Sequence, residues 1–544
     1  MRFETRCRPG LKPAPALALI LVLATSALFA SGEAAIGAEA QTFRALNPDS
    51  ALAETLRGIA GEALSLDRAV TLALANATAV REAEAASAAA QGAFLREKGA
   101  FDPELFAEAS SSETQTPSSS PFMRPDVTED KVTAGSAGAR MLLPFGTSIE
   151  ASLDADRTDT NSEFAAIDPE YRADARLEIR QPLLSGFGPG TSAAKSAAER
   201  GIEAAAAAHR DARLATRAQV EAAYWALYAA ERDLAVQRLI VEQAQALLEQ
   251  ARLKADAGLV GPNEVANARV FLAGQSLAAL DFEERLDGLS DALASLIGER
   301  PARAARFHPA DEPPERFAAE DLDDVLKRCL SRNEQLNAAA AARRSLEERL
   351  RGAKWNAYPR LDLIGSVGGG GLAGEGRDVV FGSDTLRTDA SGGYGDAIGE
   401  ALARDYPNWS VGLELSFPIP LRAGRGERMR LDAETARARH QEEAVRRALE
   451  ERVRAAHREL QGSQNRLDLA REGVAASFEQ VRIGIIEYNN GRNTAFELVR
   501  LGADLAASQQ RLSQSLVRAA RAAAELQYLS AGLSEPSSTE ASDR

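Results

Sequence analysis

The chain has 544 residues, of which 26% are charged, 45% hydrophobic and only 5% aromatic, with a formal net charge of −15. Abundant Ala beside so few aromatics argues against compact globular domains and suits long helices packed closely through small side chains. The acidic balance argues against a nucleic-acid partner. The four His are scattered without ligand spacing, so no metal and no other cofactor is expected.

At the N-terminus, Arg2, Arg6, Arg8 and Lys12 precede an apolar run from Ala14 to Ala30 and small residues ending in Ala38-Glu39-Ala40. This reads as a secretory signal peptide over residues 1–40, followed by a variable segment to residue 60. No Cys follows the apolar run, so a lipid anchor is not indicated. Cys329 is then the only cysteine of the exported chain, at an apolar helix position that reads as structural.

Residues 61–300 form a first repeat. A short and a longer helix cover 66–100, strands lie within about 101–185, and a coiled coil covers 191–297. Its long arm carries Val220, Leu227, Leu234, Val241, Leu248 and Ala255 at one heptad position and Ala223, Ala230, Gln237, Ala244 and Ala251 at the other. Val236, Ile240 and Leu247 make a second apolar stripe, so this helix requires neighbours on two sides. Tyr224, Trp225 and Tyr228, at helical spacing, read as packing residues. A break at Gly258-Leu259-Val260-Gly261-Pro262 precedes the return arm.

After a linker at 301–320, a second repeat occupies 321–529. Two helices end near Asn356, strands lie within about 360–418, and a coiled coil covers 425–529 with its turn at Tyr488-Asn489-Asn490-Gly491-Arg492-Asn493. Residues 530–544 read as a disordered tail. The two repeats match residue by residue. Leu66, Asp67, Leu74, Lys98, Pro103 and Leu105 recur 256 positions later, and each coiled-coil turn carries a Gly and a Glu six residues apart, Gly258 with Glu264 and Gly491 with Glu497.

Leu361 to Val367 and Trp409 to Phe417, joined by a long Gly- and Asp-rich loop, alternate apolar with polar, as do Leu105–Ala109, Ala139–Leu153 around the turn at 144–147, and Ala173–Ile179. Such strands fit either a transmembrane β-barrel wall or a small soluble sheet capping a coiled coil. Trp409 and Tyr406 suit an interfacial aromatic belt.

The chain resembles the TolC family of outer-membrane efflux proteins. Leu66-Asp67-Arg68-Ala69-Val70 is similar to the start of the family's repeats. Gly258-Leu259-Val260 with Glu264-Val265-Ala266-Asn267-Ala268-Arg269 resembles the family's first helical turn, and Tyr488, Gly491 and Glu497 resemble its second. The resemblance implies a mainly α fold with β, internally duplicated: a homotrimer with a long coiled-coil α-barrel and one shared transmembrane β-barrel to which each copy gives four strands. It implies a non-enzymatic export duct in the Gram-negative outer membrane, spanning into the periplasm, that docks to a periplasmic adaptor protein and an inner-membrane pump. Gly258, Leu259, Val260, Gly491 and Arg492 become the candidate adaptor-docking tips, and Glu264, Tyr488, Glu497 and Arg500 the candidate entrance gate, with a Tyr488–Glu264 contact between neighbouring turns.

Two departures qualify the match. Leu105 to Gly258 spans 153 positions against 130 from Leu361 to Gly491, so the first half holds 23 extra residues, read as a hairpin or enlarged loop around 120–170. At the gate, Glu497 and Arg500 stand where the family has two acids. A pair at i and i+3 can form a salt bridge, giving a ring of mixed charge with weaker cation preference. Exposed charges on a solvated coiled-coil face are the competing reading. For the whole chain, a soluble periplasmic coiled-coil scaffold linking envelope components is the alternative. A stand-alone porin would require more strands than one chain supplies.

Overall fold

The computed structural model describes residues 48–117, 125–314, 316–317, 319–381, 384–490 and 492–532. The signal peptide, Gly491 and most of the tail lie outside the described residues. In chain order the elements are α1 Pro48–Arg57, β1 Glu62–Leu64, α2 Leu66–Asn76, α3 Thr78–Gly99, β2 Glu104–Pro117, β3 Val127–Leu142, β4 Ser148–Thr160, β5 Ile167–Pro182, α4 Pro189–Asp256 and α5 Pro262–Ile297. They continue with β6 Phe307–Pro309, α6 Leu322–Arg332, α7 Glu334–Asn356, β7 Arg360–Gly376, β8 Val379–Phe381, β9 Asp384–Leu386, α8 Tyr394–Ala403, β10 Tyr406–Ser416, α9 Arg422–Asn489 and α10 Ala495–Leu529. The duplication is visible in the helix lengths. α2 and α6 each have 11 residues, α4 and α9 each have 68, and α5 and α10 have 36 and 35. At 1.5 Å per residue each 68-residue helix is about 100 Å long.

The chain divides into two compact units. One comprises 72–218, 320–458 and 524–544. It holds a six-stranded antiparallel sheet in the order β10-β7-β5-β4-β3-β2. The sheet therefore has two more strands than the resemblance implies, and the first half supplies four of the six. The alternating runs read from sequence are the cores of strands that extend further, because neighbour pairing continues past the apolar stretch into polar positions such as Lys131 opposite Asp159. The Gly- and Asp-rich segment between β7 and β10, expected to be a loop, contains the β8–β9 pair and α8. Ala397 and Ala401 of α8 pack on Ala173 and Ala373. Gly369 and Gly371 permit this approach. A Cβ on Gly369 would stand 2.5 Å from the Ala401 carbonyl, and one on Gly371 would overlap the Ala397 carbonyl. In the same unit α6, α9 and the end of α10 enclose Val325, Leu326, Cys329, Leu449, Val453 and Leu529. Cys329 is fully buried there, its thiol pushed up to about 11 by desolvation.

The other unit comprises residues to 71, 219–319 and 459–523. Both seams of α4 are buried within it. Val220, Leu227, Leu234 and Leu248 are inaccessible or nearly so, as are Val236, Ile240 and Leu247 on the second stripe. The linker expected at 301–320 contributes β6, which pairs in parallel with β1. Tyr224 is buried with its hydroxyl 3.0 Å from the Leu64 carbonyl and from Asp311 Oδ2, and its ring meets Trp225 edge-on, as Trp225 meets Tyr228. The aromatic trio is a packing cluster. Among the described residues no helix is long and apolar enough to cross a membrane.

Candidate channel wall and entrance

Strand alternation and continuous register give the sheet two chemically opposite faces. On one face Leu105, Ala107 and Ala109 of β2 stand beside Ala139, Ala137 and Gly135 of β3, and the row passes through Ala151 and Leu153, Ala175 and Leu177, and Leu363 and Val367. It ends at Trp409, Val411, Leu413 and Leu415 of β10, which are 78%, 69%, 69% and 68% exposed. No soluble sheet leaves such a row uncovered on an edge strand without inviting aggregation. Alternation separates the two aromatics expected to form one belt. Trp409 lies on the apolar face and Tyr406 on the other.

The opposite face is charged. Glu104, Arg140, Glu150 and Glu178 stand side by side across four strands. Arg180 bridges the two halves of the chain, 3.0 Å from Asp362 and 2.7 Å from Glu414, and Arg360 adds a 2.8 Å contact to Asp362. Glu150 is directly opposite Glu178, and Asp154 opposite Asp174. Like charges at such spacing are tolerated only where water and counterions reach them. Outside the patch around Ala173 and Ala373 that α8 covers on the same side, the apolar face thus suits hydrocarbon, and the charged face suits an aqueous passage.

The two coiled-coil turns use different chemistry for one purpose. In the first, Gly258 adopts φ +74°, and the Leu259 amide closes the helix on the Lys254 carbonyl at 2.8 Å. Pro262 then starts α5, leaving Leu259 75% exposed. In the second, the Arg492 amide bonds the Glu487 carbonyl at 2.9 Å, and Thr494 caps α10 by accepting the Glu497 amide at 3.3 Å. Glu264 and Glu497 both fall at the third position of their helices. An acid there also complements the positive end of the helix, a structural role that the Thr-x-x-Glu spacing of 494–497 announces.

The expected gate residues are placed as follows. Arg500 is paired with Glu497 on one face of α10. Tyr488 is buried among Leu247, Leu248, Ala251 and Ala268, with the Lys254 ammonium 4.0 Å from its ring centroid. Among the described residues no hydrogen bond joins Tyr488 to Glu264. Lys254 went unnoticed in the sequence because nothing local marks it; its partner comes from the other repeat.

A further polar layer lies in the unit that carries the turns. Asp233 is buried and accepts a 2.6 Å hydrogen bond from the Ser513 hydroxyl, and desolvation pushes its carboxyl up to about 6. Nearby in the chain, Glu231 lies 2.6 Å from His308 Nδ1 and is likewise raised by burial. Among the described residues no group of His, Cys, Asp and Glu is placed to hold a metal ion.

The profile of the outer membrane efflux protein family matches residues 133–299 and 325–532. The chain belongs to the outer membrane efflux protein family. It is an outer-membrane channel protein of the Gram-negative envelope that reaches into the periplasm, and the soluble-scaffold alternative falls with that match. No curated protein matches significantly by sequence. Solved structures with the same TolC-like fold include the outer-membrane channel OprN, 17% identical with a TM-score of 0.62 over 86% of this chain and 90% of that one. VceC of the bacterial pathogen Vibrio cholerae is 17% identical with a TM-score of 0.60 over 86% and 96%. The Campylobacter jejuni CmeC channel is 14% identical with a TM-score of 0.59 over 86% and 85%.

Proposed function

We propose that three copies of this outer-membrane efflux protein assemble into one passive export duct, which receives its substrate from an inner-membrane pump through a periplasmic adaptor. The observation that carries this reading is the two-faced sheet, an apolar surface and a charged surface with both edge strands unpaired. One copy cannot place such edges in a membrane, whereas cyclic assembly removes them. The helices support the same closure. Leu253, Val270, Leu277 and Leu280 on the first coiled coil, and Leu469, Ile483 and Ile486 on the second, are apolar residues left exposed among the described residues. They are suited to neighbouring copies.

The adaptor engages the tips, Gly258, Leu259 and Val260 on one turn and Gly491 and Arg492 on the other. Leu259 is the apolar anchor. A photo-crosslinking residue at Leu259 or Arg492 is expected to capture a periplasmic adaptor, identified by mass spectrometry. Capture of nothing from cells that contain the assembled trimer would reject tip docking.

Glu264, Tyr488, Glu497 and Arg500 form the entrance, where each Glu497 is balanced by its own Arg500. The entrance therefore contributes little charge selection. In single-channel recording, Arg500→Ala is expected to raise cation preference as the acidic ring is released. Strong cation selectivity abolished by Glu497→Ala and unaffected by Arg500→Ala would defeat this reading.

A further inference from the structure

We infer that the outer-membrane wall of the assembled channel has eighteen strands, six from each of three copies, closed by pairing β10 of one copy with β2 of the next. The inference rests on the trimeric reading above and departs from the four strands per copy that the family resemblance implies.

Four observations support it. First, pairing is continuous from β2 to β10, so the additional strands belong to the same sheet as those of the second half. Second, the additional strands carry the same two faces. Leu105 and Ala107 of β2 and Ala137 and Ala139 of β3 share the apolar side with Val367 and Leu413, while Glu104 and Arg140 share the charged side with Glu178. A hairpin folded away from the wall would have no use for a surface matched to hydrocarbon. Third, α8 clasps the hairpin to the second half. Its Tyr394 hydroxyl donates to the Thr133 carbonyl of β3 at 3.2 Å, while its Ala397 and Ala401 pack on β5 and β7. Fourth, β2 is exposed along nearly its whole length and β10 along all of it. With six antiparallel strands these two edges run in opposite directions, so joining them extends the antiparallel ladder without interruption.

Adding strands in pairs is the change that keeps closure possible. One extra strand would set the edges parallel; two leave their directions and the face alternation intact. Barrel diameter grows roughly linearly with strand number, so eighteen strands make a wall about 1.5-fold wider than twelve, in the range where barrels hold an open aqueous passage.

Cysteine pairs test this in the full chain, where Cys329 is buried. Cysteines at Trp409, Val411 or Leu413 of β10 are combined in one set with cysteines at Leu105, Ala107 or Ala109 of β2, and in a second set with cysteines at Ile149, Ala151 or Leu153 of β4. Single-cysteine variants recovered from the outer membrane as trimers establish that each position is tolerated. Oxidation of the first set is expected to convert most of the protein, at the best-matched pair, into a covalent trimer that survives denaturation. The second set is expected to remain monomeric on denaturing gels. Covalent trimers from β10 with β4 and none from β10 with β2 would place β2 and β3 outside a twelve-strand wall and overturn the inference while leaving the trimer standing. Covalent products that stop at two copies would overturn the trimer as well.

Discussion

The two repeats differ least in their helices and most in their strands. α4 and α9 have the same length and α5 and α10 differ by one residue, yet the first β segment contains four long strands and the second contains two with α8 and the β8–β9 pair between them. Helix length is constrained because each coiled-coil arm must keep its heptads in register from end to end. A slip of one residue would rotate every heptad position by about 100°. A sheet obeys a looser rule, since it accepts whole hairpins provided that face and edge direction are kept. The 23-residue excess of the first half understates its extra strands because the second half spends residues on α8.

The most severe challenge to this comparison is to treat the extra strands as ordinary wall. Ala137→Arg in β3 is then as damaging as Leu413→Arg in β10, because both place a guanidinium on the hydrocarbon side, at about 2 to 4 kcal/mol per copy near the bilayer midplane. Ser136→Arg, one position away and facing water, is expected to be mild. Outer-membrane yield of heat-modifiable trimer measures all three. A benign Ala137→Arg beside a severe Leu413→Arg would remove β3 from the wall.

The helices differ in what they bury. α4 encloses Asp233, whose carboxyl is raised from its ordinary 3.8 to about 6 because the charged form is desolvated. A group raised on folding contributes fully below the unfolded value and loses that contribution as pH rises through the folded one. Stability is therefore expected to fall between about pH 4 and pH 6 on account of this residue, by roughly 2 to 3 kcal/mol. Asp233→Asn keeps an acceptor for Ser513 and removes the charge. It should raise the urea midpoint at pH 7.5, change little at pH 4, and flatten the profile between. An unchanged slope would mean that Asp233 is neutralised by another group when folded.

Much of this architecture was legible in the sequence. Heptads placed the first long helix and the repeat placed the second, each to within a few residues, and the recurring Gly-to-Glu spacing located both turns. The same repeats hid what depends on the two halves meeting. Arg180 reaches Asp362 and Glu414 only because β5 pairs with β7, and Lys254 reaches Tyr488 only because the tips of the two coiled coils pack together. α8 was illegible for another reason. Its Gly393, Gly395 and Gly399 spell loop in isolation, and its helix is held by a surface of Ala and Gly on the strands beneath it.

At the turns, equal geometry rests on unequal residues, and smaller effects are expected. Gly258→Ala puts a Cβ into open space but at φ +74°, costing about 1 kcal/mol from backbone strain alone. Thr494→Ala removes a hydroxyl cap at about the same cost. Hydrogen exchange at the two tips should report both, each loosening its own turn. Loosening of both turns by either change would show that the tips open as one unit.

The smallest expected difference separates the two acids that the duplication equates. Glu264 and Glu497 share the third position of a helix, so Glu264→Gln and Glu497→Gln should each weaken a helix start by less than about 1 kcal/mol. Only Glu497 has an arginine one turn ahead on the same face. Its replacement leaves Arg500 without its anion, in the proposal at three places around the entrance, so Glu497→Gln should shift ion preference toward anions while Glu264→Gln leaves it unchanged. Equal responses in stability with unequal responses in selectivity would mean that the shared position serves the helix and that gating was built on one copy of it. Equal responses in both would return Glu497 to the role its capping spacing already explains.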